Sequence, residues 1–463
     1  MAITIKYNGA TIASLDPGQK ATLKCSEELM ASDLVVEDES VGETDINGVL
    51  EYYRVNAGAK VSAGDFVDFV TKFQNSTFKD SAVTVRGACK LDDSRVLVAY
   101  DNYAVVLTIK HDGIQVGEAV DLGATPSSIV ALSSYKALFS YRSDGKVTVT
   151  VLTIDGDAIS VGEPTAVYSL PDSGSISYNG YSLAALTASK ALMVIDYRYL
   201  PSKDYATYSW YSYVQIIDIA GSSVTPGTPV SLPSLDRDNS LGRAALKLAE
   251  DKALVLRLTD SLVEAWVVTV KNLTPTCGTR ASWGNSTYFN EIAATVLSEN
   301  AAVVVISSRS SPAMYAVPMG LSNTSAAFGT VVSIHGGDCS RVSMSALSEN
   351  QALVVYAYNN YGRAQVLTVD EYAITSSGQY TFDHYTVTST ALVPLSESSA
   401  LVAYNNATGA IANLTVDPDS NAITADSAET GTFVQPATSR LYNVGVARNS
   451  GEEGELVAVY RVE

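Results

Sequence analysis

The stretch Leu91-Asp92-Asp93-Ser94-Arg95-Val96-Leu97-Val98-Ala99-Tyr100 decides how this chain folds, because it recurs. A leucine, a polar turn and a short apolar run ending near tyrosine return over residues 132–141. Further copies begin at Leu186, Leu248, Leu297, Leu347 and Leu395, so anchors 91, 132, 186, 248, 297, 347 and 395 stand 41, 54, 62, 49, 50 and 48 residues apart. The sixth residue is small or β-branched in every copy (Val96, Ala137, Ala191, Ala253, Ala302, Ala352, Ala400). A looser eighth copy, Gly454-Glu455-Leu456-Val457-Ala458-Val459-Tyr460, lies near the C-terminal end of the chain.

Each unit holds about four strand-like runs, parted by Asn, Asp, Gly and Ser of the kind tight hairpins use. No segment keeps a helical period, so strand–helix repeats are excluded. The second run is apolar almost without alternation, as in Ala352-Leu353-Val354-Val355-Tyr356. A strand reads that way when both of its faces are buried. Antiparallel units stacked face to face around an axis bury it so. Four strands in a period of this length therefore predict an all-β fold, a β-propeller of four-stranded antiparallel blades.

Seven units are complete. The runs at 441–447 and 456–462 supply two more strands, and those at 51–57 and 66–73 another two, so the preferred count is eight blades, the last shared by both termini. Seven blades with terminal additions is the alternative. On this reading residues 49–463 form the propeller. Residues 1–48 form a small β module with strands at 3–7, 11–15, 21–25 and 34–37. So short a module buries little core alone and calls for a partner or for trimerisation.

Composition narrows the function. With 49 acidic against 30 basic residues the formal charge is −19, which argues against nucleic acid or an anionic membrane as partner. At 46% apolar and 17% charged residues the chain has ample core. No run of about 18 apolar residues marks a membrane span, and the first residues lack the pattern of a secretory signal. Cys25, Cys89, Cys277 and Cys339 fit no zinc or redox spacing and read as structural thiols. His111, His335 and His384 fall in different units, so no metal, cofactor or catalytic residues are assigned, and an enzyme ranks last among the readings.

The candidate binding residues come from the one long spacing. The excess over neighbouring units lies between the second and third strands of the third unit and carries Tyr199, Tyr205, Tyr208, Trp210, Tyr211 and Tyr213, with Lys203 and Asp204 among them. Rigid aromatic rings beside hydroxyls suit a binding loop, and rings also stack on sugar faces. The competing reading is a long hairpin whose rings pack across strands. Equivalent short loops carry Tyr103, Tyr361 and Arg363, and all such loops emerge on one face, which makes a composite ligand-binding rim an expectation. The opposite face carries an incomplete ring of acidic turns, read as solvated or as a site for a cation or basic partner.

Two stretches resemble a known group. Ile3-Thr4-Ile5-Lys6-Tyr7-Asn8-Gly9 with Leu23-Lys24-Cys25 and Asp33-Leu34-Val35-Val36 resembles the N-terminal module of structural proteins from phages and prophages of Gram-positive gut bacteria. Val61-Ser62-Ala63-Gly64-Asp65-Phe66-Val67 and the Leu-Ser-Glu-Asn-x-Ala-Leu-Val-Val-Tyr repeats resemble propeller-like domains of phage tail or fibre proteins. The resemblance implies a virion protein made in the host cytoplasm without a signal peptide, docked on other virion proteins by its first module and homo-oligomeric in the particle. A tail or fibre subunit binding a host-surface glycan or protein is the first expectation, and a purely structural decoration of capsid or tail the second.

Overall fold

The computed structural model describes residues 76–425 except 111–112, 172–174, 201–208, 233–239, 285–287, 309–312 and 371–372, together with the backbone of the terminal strands named below. The chain divides into two compact units, residues 75–109 with 114–426, and the termini with 110–113.

The larger unit is a ring of seven antiparallel sheets. Blade 1 runs Val85–Lys90, Arg95–Tyr100, Tyr103–Lys110, then Gly113–Val116 and Val120–Asp121. Those last two segments are one fourth strand in two pieces, both paired with the third strand. Six more blades begin at Ser128, Ser175, Ser240, Phe289, Cys339 and Ser389. The seven first strands succeed one another round the axis, and the seventh lies against the first. The ring is a β-propeller of four-stranded blades with seven members, not the eight that the sequence favours.

The reason for seven lies at the seam. In blade 7 the fourth strand is shared: Ile423–Ala425 pairs with one end of Gly409–Val416, and Ser76–Lys79 pairs with the other through Ala410↔Thr77. One strand from before blade 1 therefore completes the last sheet. A cluster containing Phe78, Val85, Val98, Leu107, Val393 and Ala403 welds blade 7 to blade 1. The strands expected to build an eighth blade pair with each other elsewhere. Leu50–Val55, Phe66–Lys72, Val444–Ala447 and Leu456–Arg461 join Gly431–Pro436 in a closed five-stranded barrel. One of its pairings is parallel, between Leu50–Val55 and Gly431–Pro436, which an antiparallel blade does not contain. Within the same unit Ala10–Leu15, Ile3–Tyr7 and Leu34–Asp38 form a three-stranded sheet, while the expected strand at 21–25 lies outside the described residues.

Local chemistry explains the blades. The second strand of blade 6, Gln351–Tyr358, is buried from Ala352 to Ala357 without alternation, as the apolar runs demand. Its hairpin turns on Asn359 and Asn360, both at positive φ (50° and 71°), the backbone that two-residue hairpins require. In blades 1 to 6 the fourth strand breaks where a backbone N–H bonds back to the third strand. Gly117 donates to Val106, Gly162 to Val151 and Gly278 to Val267, each at 2.9 Å. A Cβ on Gly278 would overlap the Thr324 carbonyl oxygen of the next blade and stand 2.8 Å from that of Val267, so the break doubles as a blade-to-blade contact.

First strands have a free inner edge, which would leave backbone N–H groups unpaired. Serines of the preceding blade take them up. Ser128 Oγ accepts the Leu183 N–H at 3.1 Å, Ser182 Oγ that of Ala245 at 3.0 Å, and Ser343 Oγ that of Leu392 at 3.1 Å. Each serine stands four residues before its anchor leucine. Ser389 Oγ accepts the Val85 N–H at 2.9 Å and closes the ring. Among the thiols, Cys339 is buried and Cys89 and Cys277 are half-buried; burial pushes Cys89 and Cys339 up to about 12 and Cys277 to about 11, so they are protonated at neutral pH. Cys25 lies outside the described residues.

Candidate functional site

In an antiparallel blade the turns between second and third strands and the linkers to the next blade leave by one face, here called the upper face. The aromatic-rich segment of blade 3 stands there, and its described residues belong to strands. The three strands are Ser175–Thr187, Lys190–Leu200 and Ser209–Ala220, at 13, 11 and 12 residues longer than their counterparts in blade 1. Pairing persists out to Ser175↔Leu200 and Tyr199↔Ser209, which makes a projecting three-stranded tongue.

The tongue uses its two surfaces differently. Tyr199, Tyr211 and Tyr213 share one surface with Tyr197 and turn towards Tyr168 of blade 2. Tyr197 stacks on Tyr211 with centroids 5.1 Å apart, Tyr168 lies 5.4 Å from Tyr213, and the Tyr168 and Tyr197 hydroxyls are 3.3 Å apart. Burial pushes the Tyr168 and Tyr197 phenols above the ordinary tyrosine range. These rings pack between blades, which is the competing reading of the segment. Trp210 is on the other surface with the Arg198 guanidinium 5.8 Å from its ring. Tyr205 and Tyr208, with Lys203 and Asp204, lie outside the described residues.

That second surface continues into a buried ionic layer between blades 3 and 4. Arg257 Nε donates to Glu264 Oε2 at 2.6 Å and Nη1 to Ser212 Oγ at 3.2 Å, while Arg280 Nη1 lies 3.1 Å from Glu264 Oε1. Arg257 and Glu264 are buried, as is Asp196. The layer caps the apolar cluster of Val194, Val214, Val255 and Trp266.

Tyr361 and Arg363 belong to blade 6, three blades round the ring, so the structure does not join them to the tongue. Tyr361 opens the third strand, Tyr361–Asp370, opposite Tyr358. Its ring meets His384 edge-on at 5.7 Å, and the Arg363 guanidinium carbon sits 5.7 Å from its centroid. Arg363 Nη1 donates to Thr381 Oγ1. Beside them Asp383 accepts the Tyr385 N–H and the Asn406 Nδ2–H, both at 2.6 Å, and so fixes the linker to blade 7.

Exposure gathers on this sector. Five tyrosines are exposed among the described residues, and four of them, Tyr103, Tyr288, Tyr361 and Tyr385, are on the upper face. Tyr361 and Tyr385 are 39% and 71% exposed, and Tyr103 stands in blade 1, just beyond blade 7. Tyr288 and Tyr385 were missed in the sequence, and His384 was set aside, because they sit in linkers. The signal was topological: linkers leave by the same face as the second-to-third-strand turns.

On the lower face the first of the acidic turns serves local structure. Asp92 accepts from Ser94 N–H at 3.0 Å and from Arg95 Nε at 2.8 Å, and Asp93 pairs with Lys90 at 2.8 Å. Among the described residues no three His, Cys, Asp or Glu side chains gather as a metal site.

No family model matches this chain, and no curated protein matches it. Solved structures resemble it in three dimensions. A protein from Lactobacillus plantarum is 13% identical, with 80% of this chain and 98% of that one covered and a TM-score of 0.46. A putative 6-phosphogluconolactonase from Bacteroides fragilis is 10% identical over 76% of this chain and 95% of its own, at 0.47. The NanB sialidase of Streptococcus pneumoniae, as its K499G mutant, is 10% identical over 83% and 98%, at 0.43. Likeness at this level carries no argument about activity.

Proposed function

We propose that this chain is a recognition protein, a seven-bladed ring that binds a host-surface glycan or protein through its upper face and acts by binding rather than catalysis. The observation that carries the reading is the gathering of four of the five exposed tyrosines on that face, three of them on the arc of blades 6, 7 and 1. Exposed rings of this kind supply contact area at low conformational cost and stack on sugars. The interblade polar groups have other work: Gln215 Nε2 bonds Val167 and Gly227 carbonyls, and Gln365 Nε2 those of Ile334 and Ser377.

A place in a virion as a tail or fibre subunit, docked on other virion proteins through residues 1–48 and present in several copies, belongs to the same proposal. Its support is the resemblance of the N-terminal stretch and the repeats. The test is binding of labelled protein to Gram-positive gut bacteria. A Tyr361→Ala/Tyr385→Ala double variant that keeps the wild-type melting temperature is expected to lose most cell binding. Undiminished binding by that variant refutes the upper-face reading, and a cell-bound protein absent from purified phage particles refutes the virion placement.

A further inference from the structure

Arg363 is the cation of the exposed arc whose surroundings specify a ligand. In register it lies between Tyr356 of the second strand and Thr381 of the fourth. Its hydrogen bond from Nη1 to Thr381 Oγ1 is its only one among the described residues, and no described carboxylate pairs with it. Nε is buried without a partner. A buried donor left unmade is costly, so an orphan of this kind calls for something that completes it. Thr381 pins one end of the guanidinium. The edge left over, Nε with Nη2, is the side of the fork that presents two parallel N–H groups, the geometry that matches the two oxygens of a carboxylate.

The surroundings add the rest of a sugar site. Tyr361 is exposed beside the guanidinium, with His384 against its edge. On the other flank His335 packs 4.2 Å from the Tyr358 ring, and its Nδ1 is a second buried polar atom without a partner, suited to a hydroxyl. An acidic side chain of a protein would use the guanidinium edge but not the flat rings of Tyr361 and Tyr385. A phosphate group commonly takes more donors than one fork provides.

We infer that the blade 6 sector binds the carboxylate of an acidic sugar on the Arg363 guanidinium, the ligand displacing the side chains that cover the Nε–Nη2 edge, with the sugar ring laid against Tyr361. The inference rests on the upper-face reading above and names the chemistry of its ligand.

The test uses the full chain and the ring-proton signals of His335 and His384, which flank the site. Titration with glucuronate is expected to shift the His335 and His384 signals saturably and give affinity about ten-fold above glucose, as a charged hydrogen-bonded pair supplies. Arg363→Lys keeps the charge but lacks the edge and is expected to lose about that factor. Thr381→Val unfastens Nη1 and is expected to weaken glucuronate binding while the melting temperature stays near wild type. Equal affinity for glucose and glucuronate, or an Arg363→Lys variant that binds glucuronate as well as wild type, overturns the inference and leaves the upper-face reading standing. Phosphate or tetraglutamate binding at that site as tightly as glucuronate also overturns it. Failure of the upper-face reading shows separately, as unchanged cell binding by the double tyrosine variant.

Discussion

Replacing Glu264 by leucine removes the anion that holds the ionic layer between blades 3 and 4. Glu264 is fully buried and is contacted by Arg257 from its neighbouring strand and by Arg280. Leucine matches the carboxylate's bulk but leaves the buried Arg257 and the partly exposed Arg280 guanidiniums without that partner. Breaking a buried pair from one side costs about 3–5 kcal/mol, because the remaining charge stays buried. The ring has about 350 residues, and unfolding entropy near about 2.1 cal/mol/K per residue gives roughly 0.7 kcal/mol/K. The melting temperature is therefore expected to fall by about 4–7 °C if the ring unfolds as one unit. Calorimetry on the full chain measures this, with the larger unit's transition followed at several scan rates. The triple change Arg257→Met/Glu264→Leu/Arg280→Met removes the charges together and is expected to recover most of the loss, since well-packed apolar groups replace such clusters at little net cost. A Glu264→Leu protein as stable as wild type would refute the reasoning, because it would mean the guanidiniums reach water or other partners at no cost.

Three further outcomes follow from the ring's construction. Gly278→Ala drives a Cβ into the backbone of Thr324 and Val267 and is expected to cost about 1–3 kcal/mol in urea unfolding, while Gly145→Ala, in open space at φ 71°, meets only the cost of its backbone. Ser343→Ala leaves the inner-edge N–H of Leu392 without its acceptor and is expected to cost about 1–3 kcal/mol if water cannot replace it, read as a shift of the urea midpoint at constant slope. His335 titrates below its ordinary range because of burial and then the Arg363 guanidinium, with a hydrogen bond to Gln379 opposing. The unfolded chain therefore takes up the proton first, and this histidine's share of stability is present above about pH 6.5 and lost as the pH falls below it. Comparing melting at pH 7.5 and 5.5, His335→Gln is expected to show a smaller drop than wild type; an equal drop in both proteins removes His335 from the account.

The blade pattern was legible because two independent periods agreed. The anchor leucines set the length of the unit, and the unalternating run of Gln351–Tyr358 announced a strand buried on both faces, which the structure bears out. The asparagine and aspartate turns were legible too, since Asp144 with Gly145 and Asn359 with Asn360 adopt the positive φ that their residue types allow. The serines four residues before the anchor, Ser128, Ser182 and Ser343, were visible in three of the seven copies. Their role was not, because the N–H groups they bond belong to a strand 49–63 residues further on, as in Ser343 to Leu392 and Ser182 to Ala245.

The count of blades and the whereabouts of the exposed rings were beyond the sequence. Strand pairing depends on which edge a strand meets, and no local pattern records that Ser76–Lys79 lies against Gly409–Val416 or that the terminal strands close on one another as a barrel. Tyr199, Tyr211 and Tyr213 read equally as a binding loop or a packed hairpin until their common surface is seen against Tyr168, because the side-chain period of a strand fixes that they face together but not what they face. Arg363 is one guanidinium among many in the chain, and only the fold sets Thr381 at one end of it and leaves Nε buried without a partner. The sequence by itself determined an all-β ring of repeated four-stranded blades, since burial periodicity and turn chemistry are local. The tertiary structure decided the number of blades and the direction each exposed ring faces, since both depend on contacts between residues far apart in the chain.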